Sequence, residues 1–306
     1  MLIKIARMYR FIRDFKRDSS FPKVANYEIT ARCNLECEHC YWRKGLQGPD
    51  ELSAEQWSQV FAEHKQRGVT FAFLTGGEPA LRLEVVRAAD RIFTGLAIAT
   101  NGVVRIPPDI ERRLFVSLDG PREIHNRIRG RDVFDTVLEN YRGDSRVIIS
   151  PTLSSTNYRH IDELIEITRE MQVAGITFSL YTSHSEDGDP LLLTGDELEW
   201  TVDRLHQAKR RYGNLLLITP YIIDLFHNKE HHEQCFFRGR NFISYDAALN
   251  AKRPCVLGDG INCRTCGCIV PVISYALRRG NLRSWLMLNR MFPRRYFRAP
   301  AATAAG

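Results

Sequence analysis

The feature that most constrains this 306-residue chain is an alternation that runs through its first 180 or so residues. Six short apolar segments read as strands, at 26–30, 69–77, 96–102, 114–120, 146–153 and 175–181. Between them lie helical or turn-length connections. Trp57, Val60, Phe61 and His64 form one helical stripe, and Ser53 with Gln56 three residues on reads as its capping box. A second helix is expected at 81–93, a third at Phe134, Val137, Leu138 and Tyr141, and a fourth at Ile161, Leu164, Ile165, Thr168 and Met171. Strands joined by crossovers of this length pair in parallel, and right-handed crossovers curl such a sheet into an open or closed barrel. The expected architecture is α/β: a partial barrel of six β/α units over residues 20–185, after a basic amphipathic segment at 1–19. A linking helical region at 186–232, a small cysteine-rich domain at 233–270 and a basic tail at 271–306 follow. Within the linker, 194–213 reads as a polar helix and 214–222 as a strand.

In a parallel sheet of this kind, reactive groups gather at the carboxyl ends of the strands. Every unusual motif of the first half falls there. The first strand ends in "ITARCNLECEHCYW" (29–42), which spaces Cys33, Cys37 and Cys40 as C-x3-C-x2-C. The second ends in "LTGGEPAL" (74–81), the third in "ATNG" (99–102) and the fourth in "SLDG" (117–120), with "HNRIRG" (125–130) close behind. Three thiolates on one loop can hold a metal or cluster and leave one position open, and thiolates suit zinc and iron–sulfur clusters alike. Structural zinc takes four protein ligands, so the zinc reading needs His39 or a distant cysteine to complete the site. Gly76 and Gly77 permit a close backbone approach, and Pro79 stiffens the turn after Glu78.

The triad with an imidazole before its last cysteine, "CNLECEHCY", resembles the radical S-adenosylmethionine superfamily, and the resemblance covers roughly residues 25–180. It implies a radical SAM barrel in which Cys33, Cys37 and Cys40 bind a [4Fe–4S] cluster whose fourth iron is chelated by S-adenosylmethionine. It implies reductive cleavage of that cosubstrate to a 5′-deoxyadenosyl radical, which removes a hydrogen atom from a substrate C–H bond. By the same resemblance, His39 packs on the adenine, and Gly76, Gly77 and Glu78 hold the amino group. Thr100 and Ser117 line the methionyl and ribose parts, and Arg129 or Arg127 pairs with the carboxylate. Asp119 and His125 are candidates for serving the substrate. A flavodoxin- or ferredoxin-type electron donor is the implied partner.

The second half carries five more cysteines, Cys235, Cys255, Cys263, Cys266 and Cys268, and "NFISYDAALNAKRP" (241–254) between the first two reads as a hairpin. The arrangement resembles the twitch domain, a shortened form of the SPASM domain of peptide-modifying radical enzymes. That implies one auxiliary iron–sulfur cluster, held by Cys235, Cys255, Cys263 and Cys266, or with Cys268 in place of Cys266, or by three thiolates with the substrate on the fourth iron. Tetrahedral zinc is the competing occupant.

The formal charge of +7 sits on the two ends, since residues 1–17 hold six Lys or Arg against Asp14 and residues 260–306 hold eight Arg and no acid. Three readings compete for these segments: packing against the barrel, docking on an anionic membrane surface, and contact with an acidic electron donor or anionic substrate. Charge without a recognisable RNA-binding module disfavours nucleic acid. No apolar run is long enough to span a membrane. The N-terminus lacks a signal-peptide pattern, and cysteines in metal-like clusters favour a reducing cytoplasm over disulfides. The expectation is therefore a cytoplasmic radical SAM enzyme, oxidoreductase-like, acting on a peptide or small natural product. A membrane lipid or isoprenoid substrate, with peripheral membrane contact, is the alternative. From another class, so is a zinc-stabilised binding module.

Overall fold

A computed structural model describes residues 21–41, 51–184 and 188–297. The basic segment 1–19 and the low-complexity end at 299–306 lie essentially outside these residues. Six parallel strand positions occur where the alternation placed them. They are β1 (Val24–Glu28), β2 (Phe71–Thr75), β3 (Gly95–Thr100), β4 (Arg113–Val116), the interrupted pair β5 (Val147–Ile149) and β6 (Thr152–Leu153), and the interrupted pair β7 (Gly175–Ile176) and β8 (Ser179–Leu180). The main sheet runs β10-β9-β1-β2-β3-β4-β5-β7, with β6 and β8 paired separately beyond the interruptions. The expected hairpin at 241–254 forms as β9 (Phe242–Tyr245) and β10 (Ala251–Lys252), antiparallel to each other. It does not stand apart from the barrel: β9 lies parallel to β1, with Asn26 opposite Ser244.

The outer face of the sheet is covered by α1 (Ala54–Arg67), α2 (Leu83–Ile92), α3 (Arg122–Arg129), α4 (Phe134–Tyr141) and α5 (Ile161–Glu170). The capping box of α1 is present, with Ser53 Oγ accepting from Gln56 N–H and the Gln56 side chain accepting from Ser53 N–H. Its buried stripe of Trp57, Phe61 and His64 meets Tyr27, which points outward from β1. Full burial of such side chains contributes about 1.5–3 kcal/mol each. Strand alternation then turns Asn26 and Glu28 to the inner face. There Asn26 accepts from Thr75 Oγ1 and donates to Ser244 Oγ, both at 3.1 Å.

One expectation is corrected. Residues 214–222 are not a strand: only Leu216 bridges to the sheet, at Ile176, and α7 (Pro220–Asn228) begins at Pro220 under a Thr219 cap. An apolar run does not separate strand from buried helix, and a proline at the first helical position favours the helix. The basic run at 125–130, to which the periodicity assigned no element, lies largely in α3 and buries His125, Ile128 and Arg129. The polar helix α6 (Gly195–Tyr212) forms as expected.

The described part of the basic tail packs on the barrel, in α8 (Ile269–Arg278) and α9 (Leu282–Met291). Phe292 beyond them sits 5.3 Å from the Phe71 ring and 6.0 Å from Phe115, and Phe297 bridges to Gly95. These contacts close the end of the sheet opposite the cysteine loop. No described helix is long and apolar enough to cross a membrane.

Candidate functional site

The cysteine loop leaves β1 and is fixed by backbone from the next strand end. Gly77 N–H donates to Thr30 C=O and Glu78 N–H to Arg32 C=O, both at 2.9 Å. This contact explains the glycine pair. A Cβ on Gly76, whose φ is +130°, would fall 2.4 Å from Thr30 O, and one on Gly77 would fall 2.2 Å from Arg32 O. The close approach is thus made to the cysteine loop itself. A residue the sequence reading did not single out completes the clamp. Glu51 accepts from Ala31 N–H at 2.7 Å and Thr30 Oγ1 at 3.0 Å, and is paired with Arg82.

The three thiols differ in setting: Cys37 is buried, Cys40 partly so and Cys33 exposed. Donors from the third strand end and from α3 reach them. Arg129 Nη1 lies 3.5 Å from Cys37 Sγ, and Asn101 Nδ2 lies 3.9 Å from Cys33 Sγ and 2.7 Å from Asn34 Oδ1. Burial pushes the Cys37 thiol up, and the Arg129 guanidinium beside it opposes that shift. Asn101 was missed in the sequence. Its only signal was its place in the strand-end "TNG".

Asp119 is the hub of the expected constellation. Fully buried, it is ion-paired with Arg129, lies 3.3 Å from His39 Nε2 and accepts from Thr152 N–H at 3.1 Å. Burial alone would raise its pKa, but Arg129 and His39 override that and hold it far below the usual carboxylate range. The Asp119 N–H donates to His125 Nδ1 at 3.1 Å, which leaves the proton of a neutral imidazole on Nε2. Burial first, and then the Arg129 charge, bring His125 down to about 4. Asp119 and His125 are both fully buried and brace the loop around Cys37 and His39. Of the two candidate arginines, Arg129 points inward and Arg127 is exposed.

Glu78 is also fully buried, and its carboxylate accepts from Ala80 N–H, Thr100 Oγ1 and Asn101 N–H at 2.6–2.8 Å. It ties the second strand end to the third. Burial raises its pKa, against these bonds. The Thr100 hydroxyl is spent on Glu78, while Ser117 is half-buried, its N–H bonded to Thr100 C=O at 3.0 Å.

The second cysteine set lies at the same end of the barrel. Leu180 N–H donates to Gly267 C=O at 2.8 Å, Gly267 N–H to Thr182 Oγ1 at 3.0 Å, and Asn262 N–H to Ser183 C=O at 3.0 Å. Gly267 is pinned so closely that a Cβ would meet the Leu180 Cβ at 2.4 Å. Cys235, Cys255, Cys263, Cys266 and Cys268 line one pocket, together with His231 and His232. Arg238 Nη2 lies 3.1 Å from Cys263 Sγ. Burial pushes the Cys255 thiol up to about 11. Among the described residues, no three His, Cys, Asp or Glu side chains close around a single-ion point. Both sets nonetheless suit a thiolate-bound cluster: sulfurs are gathered by loop, and cationic or amide donors are aimed at them.

Glu28, on the inner face of β1, stands between the two sets. Its Oε1 is 2.5 Å from Lys252 Nζ and 3.4 Å from the hydroxyl of Tyr41, which follows Cys40, while its Oε2 is buried without a partner among the described residues. Burial raises its pKa to about 7 despite Lys252. Lys252 precedes Cys255 by three residues, so the carboxylate joins the two cysteine loops.

Comparison with known proteins agrees with this geometry. The family model described as the radical SAM superfamily matches residues 27–143. The chain is 34% identical over 171 residues to the mycofactocin maturase MftC of Mycobacterium tuberculosis (strain CDC 1551 / Oshkosh), covering 50% of this chain and 44% of that protein. It is 27% identical over 261 residues to the sporulation killing factor maturation protein SkfB of Bacillus subtilis, covering 79% of this chain and 62% of that one. The chain therefore spans less than two thirds of either relative. Among solved structures, Streptococcus suis SuiB bound to its precursor peptide SuiA superposes with a TM-score of 0.63 at 15% identity, covering 91% of this chain and 70% of that one. This last likeness is one of fold.

Proposed function

From the match of the radical SAM superfamily model to residues 27–143, we propose that the protein is a radical enzyme that modifies a peptide. The observation that carries the proposal is the build of the first cysteine loop. Three thiols on one loop stand at the carboxyl end of a parallel barrel, with Arg129 and Asn101 directed at two of the sulfurs. Cys33, Cys37 and Cys40 would hold a [4Fe–4S] cluster with one iron left for S-adenosylmethionine. When bound, the pair supplies a carbon-centred radical able to remove a hydrogen atom from an unactivated C–H bond.

The chain's own residues do the positioning. Arg129 offsets the negative charge at Cys37, and Asp119 fixes Arg129 and His39 in one buried network. Glu78, Thr100 and Asn101 lock the second and third strand ends, keeping the backbone amides and carbonyls beside the loop in place. His39 on the adenine, Gly76, Gly77 and Glu78 near the amino group, Ser117 near the ribose, and Arg129 near the carboxylate remain the proposed cosubstrate contacts. Cys235, Cys255, Cys263 and Cys266 or Cys268 would hold one auxiliary iron–sulfur cluster, whose role is to take up an electron or orient the substrate. A peptide substrate is supported by the maturase relatives and by the peptide-bound neighbour in fold.

Anaerobic reconstitution with iron and sulfide tests this. Two four-iron clusters give about eight iron per chain, and dithionite with S-adenosylmethionine should yield 5′-deoxyadenosine. Tightly held zinc, negligible iron and no 5′-deoxyadenosine would reject the proposal in favour of a zinc-stabilised module.

A further inference from the structure

The pocket of the second cysteine set contains two histidines that are placed very differently. His232 Nε2 is committed to the Cys266 carbonyl at 3.2 Å. His231 is 1% exposed, and neither of its ring nitrogens has a hydrogen-bond partner among the described residues. The Leu225 carbonyl is the backbone group set to accept from the ring, in a contact short of full hydrogen-bond geometry. Nearby cations are already engaged, Lys229 Nζ with the Cys266 carbonyl and Arg238 with Cys263 Sγ.

A neutral imidazole carries one N–H and one lone pair, and a protein interior rarely leaves both unmet. A histidine that ligates a metal commonly turns its other nitrogen toward a backbone carbonyl, the relation His231 bears to Leu225. Five thiols share this pocket with it. We propose that His231 is a nitrogen ligand of the auxiliary centre, so that one iron there is bound by imidazole in place of thiolate. The proposal rests on the iron–sulfur reading of this region. Its consequence is electronic: exchanging thiolate for imidazole removes negative charge and raises the reduction potential, making this centre the better electron acceptor of the two.

The test uses the full chain carrying Cys33→Ala, Cys37→Ala and Cys40→Ala, so that only the second centre remains, reconstituted anaerobically with iron and sulfide and then reduced. Protein made with 15N-histidine should change the hyperfine spectrum in the manner of a directly bonded nitrogen. That coupling should vanish in His231→Ala, persist in His232→Ala, and be replaced in His231→Cys by a lower midpoint potential. If His231→Ala fails to fold, the isotope comparison in chain with His231 intact still decides whether a histidine is bound. An iron–sulfur signal without bonded histidine nitrogen, or one whose nitrogen coupling survives in His231→Ala, would overturn the ligand assignment and leave the cluster in place. Zinc without iron would overturn both.

Discussion

The two cysteine sets occupy the same end of one barrel and are built on opposite plans. Cys33, Cys37 and Cys40 sit on a single loop whose backbone is bonded to the second strand end. Its side chains meet a buried network of Asp119, Arg129, His39 and Asn101. The other five cysteines are strung along 34 residues that contain one hairpin and two 3-10 turns, and are anchored at Gly267 and Asn262. The first site is assembled by protein contacts that exist without any metal. The second sets its thiols and a buried histidine on loops strung between a sheet-paired hairpin and a few anchor bonds, so a bound cluster would itself tie those loops together. The first loop needs a fixed geometry with one open position. The second can be shaped by what it holds.

The largest effect expected from this contrast is on the stability of the metal-free protein. Arg129→Met removes the main cationic partner of buried Asp119, leaving it only His39 and the Thr152 amide, and removing one partner of a buried pair costs about 3–5 kcal/mol. Cys263→Ser in the second set should stay within about 0.5 kcal/mol. Urea unfolding of the two apo variants measures both, and equal losses would erase the contrast.

Glu28, which joins the two loops, gives the next effect. Its folded pKa of about 7 lies above the ordinary 4.5. Its contribution is fully present below pH 4.5 and is lost as pH rises through 7, with an amplitude on the order of 3 kcal/mol. Glu28→Gln should flatten that part of the stability–pH profile. An unchanged slope would mean that the carboxylate is not the group responsible.

Smaller again is a pair of glycine substitutions. Gly77→Ala drives a methyl into the Arg32 carbonyl and should cost about 1–3 kcal/mol. Gly260→Ala, at φ +74° with nothing within 4 Å, should cost only the backbone term of about 1–2 kcal/mol. Only the first should also lower iron uptake at the triad. Thermal unfolding with iron analysis separates the two.

How much of this was legible in the sequence follows physical lines. The six strands were readable because each is a buried apolar run ending in residues with no business in a core. The cysteines were readable by spacing alone. Glu28 was not, since a single carboxylate in an apolar strand gives no pattern and its partner Lys252 lies 224 residues away. Asn101 and Glu51 were hidden for the same reason. Helix α3 was missed because its buried face uses His125 and Arg129, polar residues whose burial depends on Asp119 and Cys37 across the site. Residues 214–222 misled because apolar content does not distinguish a strand from a helix that starts at a proline.

The central claim is that the Cys33–Cys37–Cys40 loop holds a cluster with one iron reserved for S-adenosylmethionine. EPR of the reduced, anaerobically reconstituted chain, recorded before and after adding S-adenosylmethionine, tests it most directly. The account predicts a signal that shifts on addition, and whose shifting part is lost in Cys37→Ala. A spectrum indifferent to S-adenosylmethionine, or a shift that survives in that variant, would contradict it.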